Sequence, residues 1–160
     1  MFSIQYCHAY PQLRATIVDS AIALQTAEKH VAAHELENRI ELSPADIWQM
    51  ECGRDYDLVL LFNFIHHYDV ATNKKLLQKV KAALKPGGHV AILDQLEGTV
   101  SGAATNAIVQ LVGLMYYIFA DGRTFSLHEI SAMLDETGFK NKQFHTSAKW
   151  AGTSLVTAGK

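Results

Sequence analysis

The sequence has few of the features that mark specialised classes of protein. It contains only two cysteines, Cys7 and Cys52, and their spacing matches no metal-binding motif. We interpret both as reduced thiols, which indicates a cytoplasmic protein. Residues 1–12 lack the basic start and the long apolar segment of a signal peptide. The most apolar later stretch, residues 103–120, is interrupted by polar side chains and falls short of the roughly 20 residues that span a bilayer.

The sequence also has no large excess of either positive or negative charge. The net charge is -2, the isoelectric point is about 6.4, and no basic cluster is present, which argues against nucleic acid or an anionic membrane as the main partner. The chain has no G-x-G-x-x-G motif, so an NAD-dependent oxidoreductase is the weakest of the enzyme classes considered. What is abundant is hydrophobic residues, at 49%, and residues 1–160 are predicted to form one globular domain with its own core.

The most informative stretch is residues 54–69. Its apolar run from Leu58 to Phe62 contains no polar side chain, which indicates a strand buried on both faces. Asn63 ends the run, and the pair His66 and His67 follows. In an open parallel sheet, ligands bind just beyond the carboxyl ends of such strands. The two histidines therefore indicate either a chemical role or a polar loop that caps the next helix, and the spacing alone favours neither.

Strands and helices alternate along the rest of the chain. Helices are predicted at 2–10, 21–34, 69–84, 103–120 (mostly buried) and 127–137, and strands at 14–19, 39–43, 57–62, 89–93, 139–146 and 154–158. The last two strands have only a short connection through Trp150, which requires an antiparallel pair. The pattern predicts an α/β, Rossmann-like fold with a mainly parallel sheet, helices on both faces and a C-terminal antiparallel hairpin.

Two of the predicted strands end in an acid, Asp19 and Asp94. A carboxylate just beyond a parallel strand can accept hydrogen bonds from the two hydroxyls of a ribose, and Asp19 is suitably placed for this. The alternative is that Asp19 only caps, or lies in the first turn of, the helix that follows.

Four motifs follow one another along the chain: Ile17-Val18-Asp19, Pro44-Ala45-Asp46-Ile47, the segment 57–69, and the segment 84–94 with its Leu-Lys-Pro-Gly-Gly turn. Their order and spacing resemble a class I S-adenosylmethionine-dependent methyltransferase, and within that group the small-molecule O-methyltransferases. The segment Asn-Phe-Ile-His-His-Tyr resembles the one that carries the catalytic histidine in that family. The resemblance covers nearly all 160 residues.

The resemblance implies a role for several side chains. It implies that His66 is the general base and that Asp94 orients it. It also implies an S-adenosyl-L-methionine site in which Asp19 holds the ribose, Asp46 receives the adenine amino group and Ile47 lies against the adenine ring, with Phe62 counted among the cofactor-binding side chains. The implied partner is a small hydroxylated metabolite, with an aromatic one favoured, and homo-oligomerisation is left open.

The chain also departs from the family. The glycine-rich loop and first strand that should precede Met1 are missing, as is the usual N-terminal dimerisation domain, and a second acid expected within residues 121–126 is replaced by Thr124. The alternative function is therefore a truncated or degenerate, non-catalytic methyltransferase-like domain. Loss of the first strand would leave two apolar strand edges, so we expect the 160-residue chain to be marginally stable or self-associating and to bind the cofactor weakly or not at all.

Overall fold

A computed structural model describes residues 2–48, 53–99, 102–146 and 152–160. Cys52 and Trp150, which entered the sequence-based interpretation, lie outside these ranges. The chain divides into two compact units, Met1–Cys52 and Gly53–Lys160. The assignment of residues 1–160 to one domain stays a prediction. None of the described helices is both long enough and apolar enough to cross a membrane.

The part of the first unit that the structure describes contains two helices and two parallel strands. These are α1 (Phe2–Ala9), β1 (Ala15–Asp19), α2 (Ala21–Ala33) and β2 (Ile40–Pro44), close to the predicted bounds. The side chain of Ser20 caps α2 by accepting from the backbone N–H of Ala23. Strands β1 and β2 pair in parallel, with Asp19 opposite Pro44, so both end at the same edge of their small sheet.

The core of the first unit is small and apolar. It is formed by Ile4, Cys7, Val31, Leu36 and Ile40, with Leu13, Ala15, Ile17 and Leu42 packed against it. The guanidinium of Arg39 closes one side, because it donates to the carbonyls of Cys7, Tyr10 and Leu13. One side chain thus joins the end of α1 to the segment that leads into β1.

Within its described residues, the second unit contains a five-stranded mixed sheet and three α-helices. In chain order the elements are β3 (Tyr56–Phe62), a single 3₁₀ turn (Ile65–His67), α3 (Val70–Ala83), β4 (Leu84–Glu97), α4 (Ala103–Ala120), β5 (Phe125–Ser126), α5 (Leu127–Glu136), β6 (Lys140–Thr146) and β7 (Thr153–Gly159). The strand order is β3-β4-β7-β6, with β5 paired to β4. Strand β4 is parallel to β3 and β5 and antiparallel to β7, and β6 and β7 form the predicted antiparallel hairpin.

Strand β4 is longer than the predicted 89–93. Tyr56 pairs with Leu84 and Leu58 pairs with His89, so the intervening residues of β4 leave the ladder and return to it. Gly87 has a φ of +78°, which glycine adopts without strain. This conformation lets the chain leave the line of the strand and then rejoin it at His89. The Lys-Pro-Gly-Gly sequence therefore ends α3, as predicted, but forms a wide bulge within a strand rather than a separate loop.

Helix α4 has the predicted bounds, but the prediction that it is mostly buried is wrong. Among its described side chains only Val109 is buried. The large exposed apolar side chains of this helix are Ile108, Leu111, Leu114, Met115, Tyr117, Ile118 and Phe119. Apolar composition on every side of a helix indicates burial only if neighbours cover every side, and α4 contacts β4 and the 3₁₀ turn along one narrow face.

The interior of the second unit lies between α3, α5 and the sheet. Its fully buried large side chains include Leu76, Leu77, Val80, Leu84, Ile92, Leu96, Phe125, Ile130, Met133, Leu134 and Phe139. This core fixes the carboxyl ends of β3 and β4, and the side chains described next project from those ends.

Candidate active site

The histidine pair lies in a short turn directly after β3. Asn63 leaves the strand in the left-handed conformation, with a φ of 50°, and its N–H still donates to the carbonyl of Leu93 on β4. The 3₁₀ turn then holds His66 and His67, and Asp69 caps α3 by accepting from the N–H of Thr72 at 2.7 Å. The interpretation that this segment caps the next helix is thus correct for Asp69. The two histidines do not serve as the N-cap of α3.

His66 and Asp94 form a buried pair just beyond Phe62 and Leu93, the last residues that pair between β3 and β4. The imidazole Nδ1 lies 2.8 Å and 3.0 Å from the two carboxylate oxygens, and the residues are 5% and 1% exposed. A carboxylate can only accept, so Nδ1 carries the hydrogen and donates it. In the neutral ring this leaves the lone pair on Nε2, which is the arrangement that a general base requires.

Two aromatic side chains flank the His66 ring. Tyr116 of α4 stacks on it face to face, with ring centroids 3.8 Å apart and an angle of 4° between the planes, whereas His67 lies 4.2 Å away at 51°. Burial, and secondly the negative charge of Asp94, raise the pKa of Tyr116 to about 12, so it stays a neutral phenol. Partial burial and then the neighbouring His66 lower the pKa of His67, although Asp94 acts in the opposite direction.

The buried side-chain amide of Asn73 holds the 3₁₀ turn through two hydrogen bonds. Asn73 of α3 is fully buried, and its side-chain nitrogen donates to the carbonyls of Ile65 and Tyr68 at 2.9 Å and 3.1 Å. These two carbonyls lie on either side of the histidine pair along the chain. Asn73 therefore ties the turn to the first part of α3.

The segment after α4 packs against the same turn. The N–H of Arg123 donates to the carbonyl of His66 at 2.9 Å, and a Cβ added at Gly122 would overlap that carbonyl oxygen. The hydroxyl of Thr124, the residue that stands in place of an expected acid, donates to the carboxylate of Glu97. Strand β4 thus brings a carboxylate to this segment even though the segment lacks the expected one.

A shallow cavity of about 290 Å³ opens beside this segment. Its lining combines a carboxylate, a guanidinium, an amide, a phenol and backbone, and consists of Glu97, Gln110, Gly113, Tyr117, Gly122, Arg123 and Thr124. The volume is at the small end for ligand pockets, which suits a compact molecule with polar groups.

Two of the predicted cofactor residues lie at one edge of the first unit. Asp19 ends β1, and Asp46 follows β2 by two residues, so the parallel pairing places both acids beyond the same ends of the two strands. Both are exposed, and one oxygen of each accepts a local backbone N–H, from Ser20 at 2.7 Å and from Trp48 at 2.9 Å. The second oxygen of each carboxylate is not used in those bonds.

This arrangement bears on the two readings of Asp19. The side chain that caps α2 is that of Ser20, so Asp19 is not needed as the cap. An exposed carboxylate at the end of a parallel strand has the chemistry to accept hydrogen bonds from a diol, and a second one beside it can accept from an amino group. The donor and acceptor set therefore fits a nucleoside. Ile47 lies partly buried next to Asp46, and Phe62 is partly buried at the end of β3.

The sequence analysis predicted His66 and Asp94 as site residues, and the fold brings these two together. It did not single out three neighbours: Tyr116, Asn73 and Glu97. Val109, Gly113 and Tyr116 recur at intervals of four and three residues, which is the spacing of one helix face, and this pattern could have indicated the inner face of α4. Nothing in the sequence alone indicates the pairing of Glu97 with Thr124, because it depends on where β5 and the segment before it lie.

The chain is similar to known O-methyltransferases along most of its length. A family model described as an O-methyltransferase domain matches residues 3–140. The 3-hydroxy-5-methyl-1-naphthoate 3-O-methyltransferase of Streptomyces sahachiroi is 27% identical over 135 residues, covering 84% of this chain and 39% of that protein. The mitomycin biosynthesis 6-O-methyltransferase of Streptomyces lavendulae is 24% identical over 132 residues, covering 82% of this chain and 36% of that protein.

Solved structures agree with this. The crystal structure of a candidate O-methyltransferase from Nostoc punctiforme superposes with a TM-score of 0.88 at 28% identity, covering 99% of this chain and 48% of the other. The chain thus spans about two fifths of the length of these curated relatives and about half of the solved structure.

Proposed function

Because the chain belongs to the O-methyltransferase domain family, we propose that it transfers a methyl group from S-adenosyl-L-methionine to a hydroxyl of a small, hydroxylated and aromatic acceptor. The observation that carries this proposal is the buried His66–Asp94 pair, whose hydrogen bond leaves Nε2 of the imidazole with its lone pair. A hydroxyl becomes a good nucleophile only as it loses its proton, and an imidazole can take that proton near neutral pH.

His66 takes the acceptor proton on Nε2. The ring then carries a positive charge, and the carboxylate of Asp94 stabilises that charge through the hydrogen bond from Nδ1. His67 lies on the exposed side of the turn, and its lowered pKa keeps it neutral around pH 7, so it adds no competing positive charge beside the base. When bound, the cofactor supplies a methyl group already activated on a sulfonium, so the protein mainly orients the partners and moves one proton.

We assign the cofactor contacts to the residues suggested by the family resemblance. Asp19 holds the ribose hydroxyls, Asp46 receives the adenine amino group, and Ile47 and Phe62 contribute apolar contact. The two exposed acids at one edge of the β1–β2 pair support this assignment, since their chemistry suits a nucleoside.

The acceptor class is drawn from the relatives. One relative methylates a hydroxynaphthoate and another acts in mitomycin biosynthesis, according to their names. The cavity beside Gly122 is of a size and polarity that suit one hydroxylated ring. We further propose that the protein works in the cytoplasm on this small molecule, with neither nucleic acid nor a membrane as partner.

The test compares the two adjacent histidines. Methyl transfer from labelled S-adenosylmethionine to a panel of simple phenols is measured for the chain, alone or within a longer form of the protein. His66→Gln lowers turnover by roughly 10²–10⁴-fold, the usual contribution of a general base. His67→Gln is the matched control and leaves turnover within about threefold, because the hydrogen bonds to Asp94 come from His66 and His67 is exposed.

The opposite result would place the base at His67 and refute the assignment of His66. Absence of methyl transfer in both the chain and any longer form, together with no calorimetric signal from S-adenosylhomocysteine, would favour the alternative of a non-catalytic methyltransferase-like domain.

A further inference from the structure

The last turn of α4 and the residues after it contact His66 at two separate points. The ring of Tyr116 covers one face of the imidazole, and the N–H of Arg123 binds the His66 carbonyl. The N–H of Gly122 donates to the carbonyl of Tyr116 at 3.0 Å, which links these two contacts through the backbone. One short segment therefore holds both the side chain and the main chain of His66.

Stacking on Tyr116 restrains rocking of the His66 ring out of its plane, a motion that the hydrogen bonds to Asp94 do not prevent. The bonds from Nδ1 to the two carboxylate oxygens lie at the edge of the imidazole and fix where that edge points. Rocking of the ring out of its plane bends these bonds without breaking them, whereas a second ring 3.8 Å away and parallel within 4° opposes such a motion directly.

The same contact suits the charged form of the ring. When His66 takes a proton, the imidazolium lies over the face of a neutral phenol, and an aromatic face attracts a cation. The raised pKa of Tyr116 means that it offers this neutral face at every pH at which the protein would work. Among the residues that the structure describes, the charged or titratable side chains in contact with the His66 ring are Asp94 from β4, His67 from its own turn and Tyr116 from α4.

We propose that Tyr116 is a positioning residue for His66: its ring fixes the plane of the imidazole and keeps Nε2 aimed at the acceptor hydroxyl. The catalytic part of this inference rests on the proposed function, in which His66 takes the acceptor proton. The placement of the ring can be tested without any activity.

The first experiment measures the proton on Nδ1 of His66 by NMR in the 160-residue chain labelled with ¹⁵N-histidine. The resonance is assigned by its loss in His66→Gln. In Tyr116→Leu, water exchange of this proton becomes roughly tenfold faster or more, since the ring can rock away from Asp94 and admit water. Tyr116→Phe keeps the slow exchange, because it retains the stacking face and loses only the hydroxyl.

Phe119→Leu is the matched control, since Phe119 is an aromatic residue of the same helix that is 80% exposed. It leaves the exchange rate unchanged. The backbone amide spectrum of each variant shows whether the fold is retained, and the comparison is made at equal thermal stability by adjusting temperature. An exchange rate in Tyr116→Leu equal to that of Phe119→Leu would mean that Asp94 alone holds the ring, and would overturn the proposal.

The second experiment separates positioning from simple packing. In the active form of the protein, Tyr116→Leu lowers kcat by roughly 10- to 100-fold while KM for cofactor and acceptor changes by less than about threefold, and Tyr116→Phe restores kcat. A fall confined to KM would show that Tyr116 binds the acceptor instead, and a rise in kcat would show that it obstructs the base. Either result overturns the proposal.

Absence of methyl transfer in the unchanged protein would defeat the proposed function, and the exchange measurement would still decide the placement of the ring.

Discussion

At the scale of single residues, the turn that carries His66 depends on the side chain of Asn73. Asn73→Leu keeps the branched shape and the number of heavy atoms of the side chain, but it is bulkier and removes the donors to the carbonyls of Ile65 and Tyr68. We expect the free energy of unfolding to fall by roughly 1–3 kcal/mol, because two hydrogen bonds from the buried amide are lost, at about 0.5–1.5 kcal/mol each. The measurement is urea denaturation at neutral pH.

Gln78→Leu, on an exposed face of the same helix, is the matched control for the Asn73 variant. It should stay within about 0.5 kcal/mol of the unchanged protein. Equal stability of the two variants would show that the turn does not need the Asn73 amide.

Asp19 allows a second prediction at this scale. In a form of the protein that binds S-adenosylhomocysteine, Asp19→Ala should weaken binding by on the order of 1.5–3 kcal/mol for each charge-assisted hydrogen bond lost, and Asp46→Ala by less. Glu28→Ala, which removes an exposed acid from α2, is the control. Titration calorimetry measures all three, and an Asp19 variant with the affinity of the control would exclude the ribose contact.

How far the sequence predicts these residues depends on where the necessary information lies. His66 and Asp94 could be predicted because each comes shortly after an apolar run, and these runs form neighbouring parallel strands whose last paired residues are Phe62 and Leu93. Helical spacing can indicate that Tyr116 lies on the inner face of α4, but the contacts of Tyr116 and Asn73 with the turn could not be predicted. They depend on the rotation of each helix about its axis, which is set by tertiary packing. Prediction was strongest where strand order alone decides proximity.

At the scale of elements, α5 depends on the capping box of Ser126 and Glu129 at its start. The Ser126 hydroxyl accepts from the N–H of Glu129, and the Glu129 carboxylate accepts from the N–H of Ser126. Ser126→Ala should lower the free energy of unfolding by about 1 kcal/mol at neutral pH. Chemical denaturation measures this change.

The effect of the capping box should also depend on pH. Burial would raise the pKa of Glu129, but the hydrogen bonds from Ser126 and Arg123 outweigh burial and lower it from 4.5. A carboxyl whose pKa is lowered on folding stabilises the protein fully above its unfolded-state pKa, and this stabilisation is lost as the pH falls through the folded-state pKa. Denaturation curves of Glu129→Gln and the unchanged chain should therefore converge as the pH falls below about 4.5. A constant difference down to pH 3 would contradict this account.

Helix α4 and strand β4 show what local sequence cannot determine. The bounds of α4 follow from its residues, but its exposure depends on neighbours that a periodic pattern does not specify. The residues Lys85–Gly88 have every property of a turn, yet the ladder resumes on the same strand after them because β3 pairs with residues on both sides. The sequence of residues 85–88 indicates where the hydrogen bonding between β3 and β4 is interrupted. Only the pairing with β3 shows that β4 continues on both sides of this interruption.

At the scale of the whole molecule, strand edges are the feature that we expect to govern behaviour in solution. Strand β3 pairs with β4 on one side, and within the described residues of its own unit no strand pairs with the other side. Leu58 on this edge is 48% exposed. An exposed apolar edge with unpaired backbone groups can add a strand from another chain.

Leu58→Lys should therefore reduce self-association of the chain, since a lysine on an edge strand disfavours strand addition. Gln78→Lys carries the same added charge on the exposed face of α3 and is the matched control. Sedimentation velocity over a range of concentrations measures both. Association that is unchanged in Leu58→Lys, or a chain that is monomeric from the start, would exclude this edge as the cause.

The close approach of Gly122 to His66 restricts the routes by which this protein can evolve. Any side chain at position 122 would displace the backbone carbonyl of His66, so no single mutation there can add an acid without moving the turn. An acid at Thr124 would instead face the carboxylate of Glu97, and the repulsion of two like charges would oppose it. Under the proposed function, descendants of this sequence are therefore expected to change their acceptor through Gln110 and Tyr117, which also line the cavity, while position 122 remains glycine.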